Sequence, residues 1–178
     1  ALWTTKVVHP VLSELKVPYF LMGATARDIL LRNVFGLSSG QLTNDVDFAV
    51  AAKSWDEFGL VKSGLIKTGH FEGVPRVAHR LRGRAPGNAT LIDIVPFGNV
   101  ERKGVIVWPD SKTQMTVLGF EEASTNALEI MLPSGTSILV ASPPALLMLN
   151  LIDWEESHQV LPPHAAAAIR TLIVGSAA

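Results

Sequence analysis

The stretch Thr43-Asn44-Asp45-Val46-Asp47-Phe48-Ala49-Val50 decides the fold, because it places two carboxylates one residue apart at the start of an apolar run. Side chains alternate between the two faces of a β-strand, so Asp45 and Asp47 are predicted to share one face. Val46 and Phe48 then share the other face. Two carboxylates held this close repel each other, and a divalent cation such as Mg²⁺ relieves the repulsion by binding their oxygen atoms.

The composition is that of a globular protein with enough apolar material for a core. Of the 178 residues, 48% are hydrophobic and 17% are charged, which favours one domain or a domain with a small appendage. The net charge of −1 is not that of a dedicated nucleic-acid binder. There is no cysteine, which excludes disulfides, thiolate catalysis and zinc–thiolate sites.

Membrane and export signals are missing from the sequence pattern. The longest apolar runs fall short of the ~18 residues that a membrane span needs. The first residues show no basic segment followed by an apolar one, which is the pattern of a secretory signal. We therefore expect a cytoplasmic protein without membrane contact.

The segments on either side of the acidic stretch alternate between helix and strand patterns. Apolar residues spaced by three and four predict helices, and short apolar runs bounded by turn residues predict strands. Up to residue 66 the predicted elements are a helix over 2–16, a strand over 17–22, a helix over 24–33, a loop over 36–43, a strand over 45–50 and a helix that Ser54 caps, with Glu57 three residues later.

The second half of the chain is predicted to be rich in strands before it becomes helical. Its predicted elements are turns over 69–75 and 83–88, strands over 77–82, 90–97, 104–108, 113–118 and 136–140, and helices over 119–128, 143–154 and 164–174. This order favours an α+β fold in which helices flank a mixed β-sheet. We expect a main domain over residues 1–141 and a helical region over 142–178 that packs on it.

Two further features favour phosphate chemistry. Gly23-Ala24-Thr25-Ala26-Arg27-Asp28 stands at a strand-to-helix turn, and the N–H groups and partial positive charge of a helix N-terminus suit phosphate. Asp93 lies in the apolar run Leu91-Ile92-Asp93-Ile94-Val95, where burial of an unpartnered acid is costly. If this strand lies beside 45–50, three carboxylates meet at one point, which is typical of metal-dependent phosphoryl transfer.

Each feature also has a simpler interpretation. A small-residue turn before a helix is common, and an Asp-x-Asp pair is often only a turn or cap signal. Arg27 and Asp28 can be solvent-facing helix charges, and Asp93 can be paired with Arg80 or Arg82 across a hairpin. The joint occurrence of these features, in this order and on these elements, favours a functional site.

These motifs as a set resemble a known family. Gly23-Ala24-Thr25-Ala26-Arg27-Asp28, Asn44-Asp45-Val46-Asp47-Phe48 and Ile92-Asp93-Ile94 resemble the DNA polymerase β-type nucleotidyltransferase superfamily. The chain is more closely similar to the minimal and abortive-infection-type nucleotidyltransferases of prokaryotes, and Val140-Ala141-Ser142-Pro143-Pro144 adds to that likeness. The resemblance covers most of residues 18–155.

The resemblance implies a fold, a reaction and a set of site residues. Asp45 and Asp47 would hold Mg²⁺ or Mn²⁺ on the triphosphate of an NTP, and Asp93 would share a second ion and help to deprotonate the attacking hydroxyl. The residues implied to lie against the β- and γ-phosphates are Gly23, Ala24 and Thr25, supported by Arg27. A nucleoside monophosphate would pass to a hydroxyl of an RNA, a protein or a small molecule.

Two departures from the family pattern keep a second interpretation open. Ala24 stands where a second glycine or a serine is usual. Asn150 stands where the family has a lysine, and His164-Ala165-Ala166-Ala167-Ala168 replaces a Lys-Asp-x-x-Asp-like stretch. The second interpretation is a non-catalytic nucleotide-binding or toxin–antitoxin interaction module with an antitoxin-type protein partner. A third, a purely structural α+β domain, leaves the three acids as a coincidence.

Overall fold

The fold is known from a computed structural model, which describes residues 2–37, 45–85 and 88–157. In chain order its elements are α1 (Leu2–Glu14), β1 (Tyr19–Met22), α2 (Gly23–Asn33), β2 (Asp45–Ala52), α3 (Trp55–Lys67), β3 (Phe71–Gly73), β4 (Arg80–Ala85), β5 (Asn88–Gly98), β6 (Val105–Val107), β7 (Gln114–Thr116), α4 (Phe120–Thr125), β8 (Leu128–Met131), β9 (Ser137–Val140) and α5 (Pro143–Ser157).

Within the described residues, seven strands form one mixed sheet in the order β3-β4-β5-β2-β1-β9-β8. The neighbours β2 and β5 are parallel, and so are β1 and β9. The remaining neighbours in this sheet are antiparallel, and β6 and β7 form a separate two-stranded hairpin. This arrangement confirms the predicted α+β class with a mixed sheet and flanking helices.

The central strand β2 buries both of its faces, and each face meets different helices. On one face Phe48 contacts Tyr19, whose hydroxyl is 2.7 Å from Nδ1 of His9 on α1. On the opposite face Phe20 and Phe97 pack against each other and against Phe120 of α4. Because β2 alternates between these layers, its carboxylates lie on the face that α4 covers.

Several predicted boundaries are wrong in the middle of the chain. The predicted turn over 69–75 contains strand β3, and the predicted strand over 77–82 begins only at Arg80, since the backbone at 77–80 forms turn hydrogen bonds. The predicted turn over 83–88 is still strand at Gly83. A Cβ at Gly83 would lie 3.2 Å from the rings of Phe71 and Trp3, so this glycine serves close packing within the sheet.

Two other differences involve short elements. The predicted helix over 119–128 is limited to α4, because the chain then enters β8, which the pattern did not indicate. Strand β8 has only four residues and lies at the sheet edge, where most of its side chains are exposed, so it gives a weak sequence signal. The first strand begins at Tyr19 rather than at residue 17.

Other predictions are confirmed or lie outside the described residues. Ser54 caps α3 as predicted, and its Oγ accepts a hydrogen bond of 3.1 Å from the Glu57 N–H. The predicted helix over 164–174 and most of the predicted loop over 36–43 lie outside the described residues. Helix α5 packs on α4 and α2, while the domain division at residue 142 stays a prediction.

None of the helices in the described part of the chain has the length and apolar character that a membrane-spanning helix needs.

Replacing Phe97 by alanine should destabilise the fold strongly, because this fully buried ring joins β5 to β1 and α4. We expect the free energy of unfolding to fall by about 3–5 kcal/mol in urea titrations. Leu60→Ala is the control, since Leu60 is 60% exposed and its loss should cost less than about 1 kcal/mol. Equal losses for both variants would contradict the assigned core.

Candidate active site

Strand pairing brings two of the three predicted acids into register. Asp47 on β2 stands opposite Asp93 on β5, its parallel neighbour, and Asp45 precedes Asp47 by two positions on the same face. The predicted adjacency of these strands is therefore confirmed. Val46 and Phe48 are buried on the other face, and this burial fixes the register because a slip of one residue would turn the acids into the core.

Gly23 makes room for one of these acids. Strand β1 runs antiparallel to β2 and ends with Met22 opposite Asp47, so α2 begins beside the carboxylate. A Cβ on Gly23 would lie 2.2 Å from Oδ2 of Asp47, and the φ of +68° at Gly23 is one that favours glycine. The missing side chain thus lets the acid approach the N-terminus of the helix.

The other predicted phosphate-binding residues have partners within the protein. Thr25 is buried and donates a hydrogen bond of 2.8 Å from Oγ1 to the backbone carbonyl of Asp45, which ties α2 to the start of β2. Arg27 donates from Nε and Nη2 to Oδ1 of Asp28, at 3.2 and 3.0 Å. Ala24 is half-buried in the first turn of α2. The phosphate contacts of these residues stay predictions.

The electrostatic environment of Asp47 favours a bound cation. Burial, followed by the negative charges of Asp93 and Asp45, raises the pKa of Asp47 from 3.8 to about 7, while Arg80 acts in the opposite direction. A divalent cation would offset both the lost hydration and the repulsion. Carboxylate oxygens are also the ligands that Mg²⁺ prefers, so Asp45 and Asp47 fit the implied cation.

Asp93 has a different partner in the structure. Arg80, directly opposite on β4, donates from Nε to Oδ1 and from Nη2 to Oδ2 of Asp93, both at 2.7 Å. Arg82 instead pairs with Glu72, with 3.6 Å between its Nη1 and Oε1 of Glu72. Of the two ion pairs that the simpler interpretation allowed, the one with Arg80 is present. Over 2–37, 45–85 and 88–157, no three Asp, Glu or His side chains form a group suited to hold a metal ion.

A histidine lies next to the ion pair between Arg80 and Asp93. His79 precedes β4, and its Nε2 lies 3.9 Å from Oδ2 of Asp93. Burial lowers the pKa of His79, the charge of Asp93 acts in the opposite direction, and the charges of Arg80 and Lys62 lower the pKa further. The ring packs against buried Trp108, with centroids 5.6 Å apart. His79 therefore lies between the ring of Trp108 and the carboxylate of Asp93.

A cleft of about 590 Å³ opens beside the acids, between α2, α5 and the β6–β7 hairpin. Asn150 lies in its wall, and its Nδ2 donates a hydrogen bond of 2.7 Å to the carbonyl of Leu146 one turn earlier. The residues that line the cleft are Met22, Gly23, Asp47, Val95, Gln114, Met115, Thr116, Leu118, Phe120, Leu146, Leu149, Asn150, Ile152 and Asp153.

Sequence reasoning missed the cleft, because its walls come from segments far apart in the chain. One signal was available in Asn150, which stood out only as a departure from a family lysine. Leu118, just after β7, also lines the cleft, but no sequence pattern marks it. Neither residue indicates a cleft without the tertiary contacts of α5.

Comparison with solved structures identifies the fold. No known family profile and no curated protein sequence matches the chain significantly. The lincosamide antibiotic adenylyltransferase LnuA, bound to lincomycin, gives a TM-score of 0.55 at 17% identity, covering 93% of this chain and 91% of that one. The antibiotic-resistance factor ANT(2'')-Ia in solution gives 0.55 at 14% identity, covering 96% of this chain and 84% of that one.

A second structure of ANT(2'')-Ia, in complex with adenylyl-2''-tobramycin, gives a TM-score of 0.57 at 13% identity and covers 96% of this chain and 86% of that one. At these identities the likeness concerns the fold. The chain thus has the nucleotidyltransferase fold, with its mixed sheet and flanking helices.

Replacing Gly23 by alanine should disturb the site beyond the cost of its backbone conformation. The added Cβ would displace the Asp47 carboxylate, and we expect a loss in unfolding free energy of about 2 kcal/mol or more in thermal denaturation. Gly69→Ala is the matched control, because Gly69 has a φ of +74° and nothing within 4 Å of its Cβ position. Equal losses would show that contact with Asp47 is unimportant.

Replacing Asp47 by asparagine should stabilise the metal-free protein at neutral pH. The pKa of Asp47 is raised from 3.8 to about 7 in the folded protein, so the folded state holds this proton more tightly than the unfolded state. The resulting contribution to stability is fully present below pH 3.8 and is lost as the pH rises through 7. In EDTA, the stability gain of Asp47→Asn should therefore be larger near about pH 8 than near about pH 5, by on the order of 2 kcal/mol. Denaturant titrations at both pH values measure the difference.

Asp110→Asn is the control for this experiment, because Asp110 is exposed in the turn between β6 and β7. Its effect on stability should change little between the two pH values. An Asp47→Asn effect that is equally flat would contradict the raised pKa and the crowding of the acids.

Proposed function

We propose that this protein is a metal-dependent nucleotidyltransferase that moves a nucleoside monophosphate from an NTP to a hydroxyl group. The observation that carries this proposal is the register of Asp47 with Asp93, beside the glycine that opens α2. It combines an acidic centre with a helix N-terminus, and the protein has the nucleotidyltransferase fold. Cation and triphosphate binding sites are thus predicted to adjoin each other.

The residues of the chain have distinct parts in the proposed reaction. Asp45, Asp47 and Asp93 would hold Mg²⁺ or Mn²⁺, which when bound neutralises charge on the phosphates and orients them. The backbone N–H groups at Ala24 and Thr25 would face the triphosphate, where the helix dipole favours negative charge. The acceptor oxygen bonds to the α-phosphorus, the bond to the pyrophosphate oxygen breaks, and the hydroxyl proton goes to an Oδ atom of Asp93.

The cleft favours a small-molecule acceptor over RNA or protein. It adjoins Asp47 and its lining is mainly apolar. None of its described lining residues is Lys or Arg, whereas RNA binding depends on cationic groups near the phosphates. Its volume of about 590 Å³ also lies in the range of small-ligand sites. The LnuA structure contains lincomycin and the ANT(2'')-Ia structure contains adenylyl-2''-tobramycin, and both ligands are small molecules.

Two observations favour a second candidate, a nucleotide-binding module without transfer activity, including one that serves in a toxin–antitoxin interaction. Asp93 is occupied by Arg80 through both of its oxygens. The amide of Asn150 is bonded within its own helix and brings no positive charge to the cleft. Such a module would bind NTP but release it unchanged.

Transfer of radiolabel from α-labelled NTPs tests the proposal. The protein is incubated with Mg²⁺ and each NTP, together with lincomycin, tobramycin or bulk tRNA as acceptor. We expect label on a small molecule, and a loss of at least about 100-fold in Asp45→Asn and Asp47→Asn because the cation loses a ligand. Asp110→Asn, which changes an exposed carboxylate in the turn between β6 and β7, should retain activity.

The possible results separate the candidates. Transfer that persists in both Asp45→Asn and Asp47→Asn would refute the assigned centre. NTP binding in calorimetry without transfer to any acceptor would support the second candidate. If calorimetry detects no NTP binding in Mg²⁺ or Mn²⁺, both candidates are wrong.

A further inference from the structure

The ion pair between Arg80 and Asp93 has a geometry that uses the whole carboxylate. The two nitrogen–oxygen distances of 2.7 Å are those of a bidentate, charge-assisted pair. The guanidinium therefore occupies both oxygen atoms that the proposed cation site needs from Asp93. A cation can bind Asp93 fully only after this pair has opened or rearranged.

The surroundings allow the arginine side chain to leave without disturbing the core. The Arg80 side chain is 35% exposed, whereas that of Asp93 is only 16% exposed. The backbone of Arg80 stays anchored by its pairing with β5, and the next residue, Leu81, is fully buried on the opposite face. Movement of the guanidinium towards solvent thus requires changes in side-chain torsion angles alone.

The charge distribution gives the pair a role beyond linking two strands. Arg80, Asp93 and Asp47 occupy equivalent positions on the neighbouring strands β4, β5 and β2. The guanidinium brings one positive charge to a face that carries Asp45, Asp47 and Asp93. It supplies part of the neutralisation that a divalent cation would supply, and it occupies the Asp93 oxygen atoms that such a cation would bind.

We propose that Arg80 is a positioning residue that competes with a divalent cation for Asp93. In the metal-free protein it holds the carboxylate in place and limits the repulsion, and it withdraws when a cation binds. This inference rests on the proposed function for the identity of the cation site. It makes a prediction about metal affinity that does not require the transfer reaction.

Mn²⁺ binding, measured by calorimetry and by the paramagnetic resonance signal of free Mn²⁺, tests the competition. Arg80→Gln should bind Mn²⁺ roughly three- to tenfold more tightly than the unaltered protein, since a competing bidentate pair is lost. Arg82→Gln is the matched control. It removes an arginine two positions away on β4 that pairs with Glu72, and it should leave the affinity unchanged.

Two further variants separate competition from a general effect of charge. Arg80→Lys keeps the positive charge but cannot form the bidentate pair, so it should also bind Mn²⁺ more tightly. In an Asp93→Asn background, Arg80→Gln should gain much less affinity, because the contested ligand is absent. The difference between the two backgrounds gives the coupling between Arg80 and Asp93 for metal binding.

A merely structural pair would give other results. The proposal is wrong if the Mn²⁺ affinity is unchanged in both Arg80→Gln and Arg80→Lys. It is also wrong if Arg80→Gln gains as much affinity in the Asp93→Asn background, or if no variant binds Mn²⁺. If Arg80→Gln does not fold, Arg80→Lys and its Asp93→Asn double variant form the same cycle. A positive cycle without nucleotidyl transfer would uphold this inference and refute the proposed function.

Discussion

The repulsion between carboxylates on one face of the sheet is the constraint on which the site depends. Asp47 and Asp93 are held in register by parallel strands whose other faces are buried, so neither acid can move away without breaking the core. Burial of Asp47 and then the negative charges of Asp93 and Asp45 raise its pKa to about 7. Strain of this kind persists only where the surrounding structure enforces it, and it concentrates at functional sites.

The turn at Gly23 shows how the backbone accommodates the acids. Because β1 runs antiparallel to β2, its end meets the beginning of β2, and α2 starts at the point where Asp47 emerges. The carboxylate of Asp47 occupies the space that a side chain at Gly23 would need. Thr25 then bonds the backbone of Asp45, so the helix and the acidic strand are held as one unit.

Much of this site could be predicted from the sequence, because its parts follow local rules. The shared face of Asp45 and Asp47 follows from strand alternation, and the turn at Gly23 follows from the change from strand to helix pattern. The partner of Asp93 could not be decided in this way. Arg80 stands opposite Asp93 and Arg82 stands opposite Leu91, and this register depends on pairing between β4 and β5.

Elements that rely on tertiary contacts were the least predictable part of the fold. Gly83 belongs to a stretch whose residue types predict a turn, but it lies in strand β4. Trp3 and Phe71 pack close to the position that its side chain would occupy. Strand β8 lies at the sheet edge and owes its conformation to pairing with β9. The cleft likewise depends on how α5 packs, which residues 143–154 do not reveal by themselves.

Positive charge is distributed unevenly between the cleft and the acidic centre. A lysine on α5 would have placed a cation at the cleft wall, but Asn150 stands there and bonds within its helix. Arg80 places its charge on the far side of Asp93, on β4. The described residues that line the cleft are mainly apolar and include no Lys or Arg, so the positive charge next to the acids comes from Arg80 on the sheet.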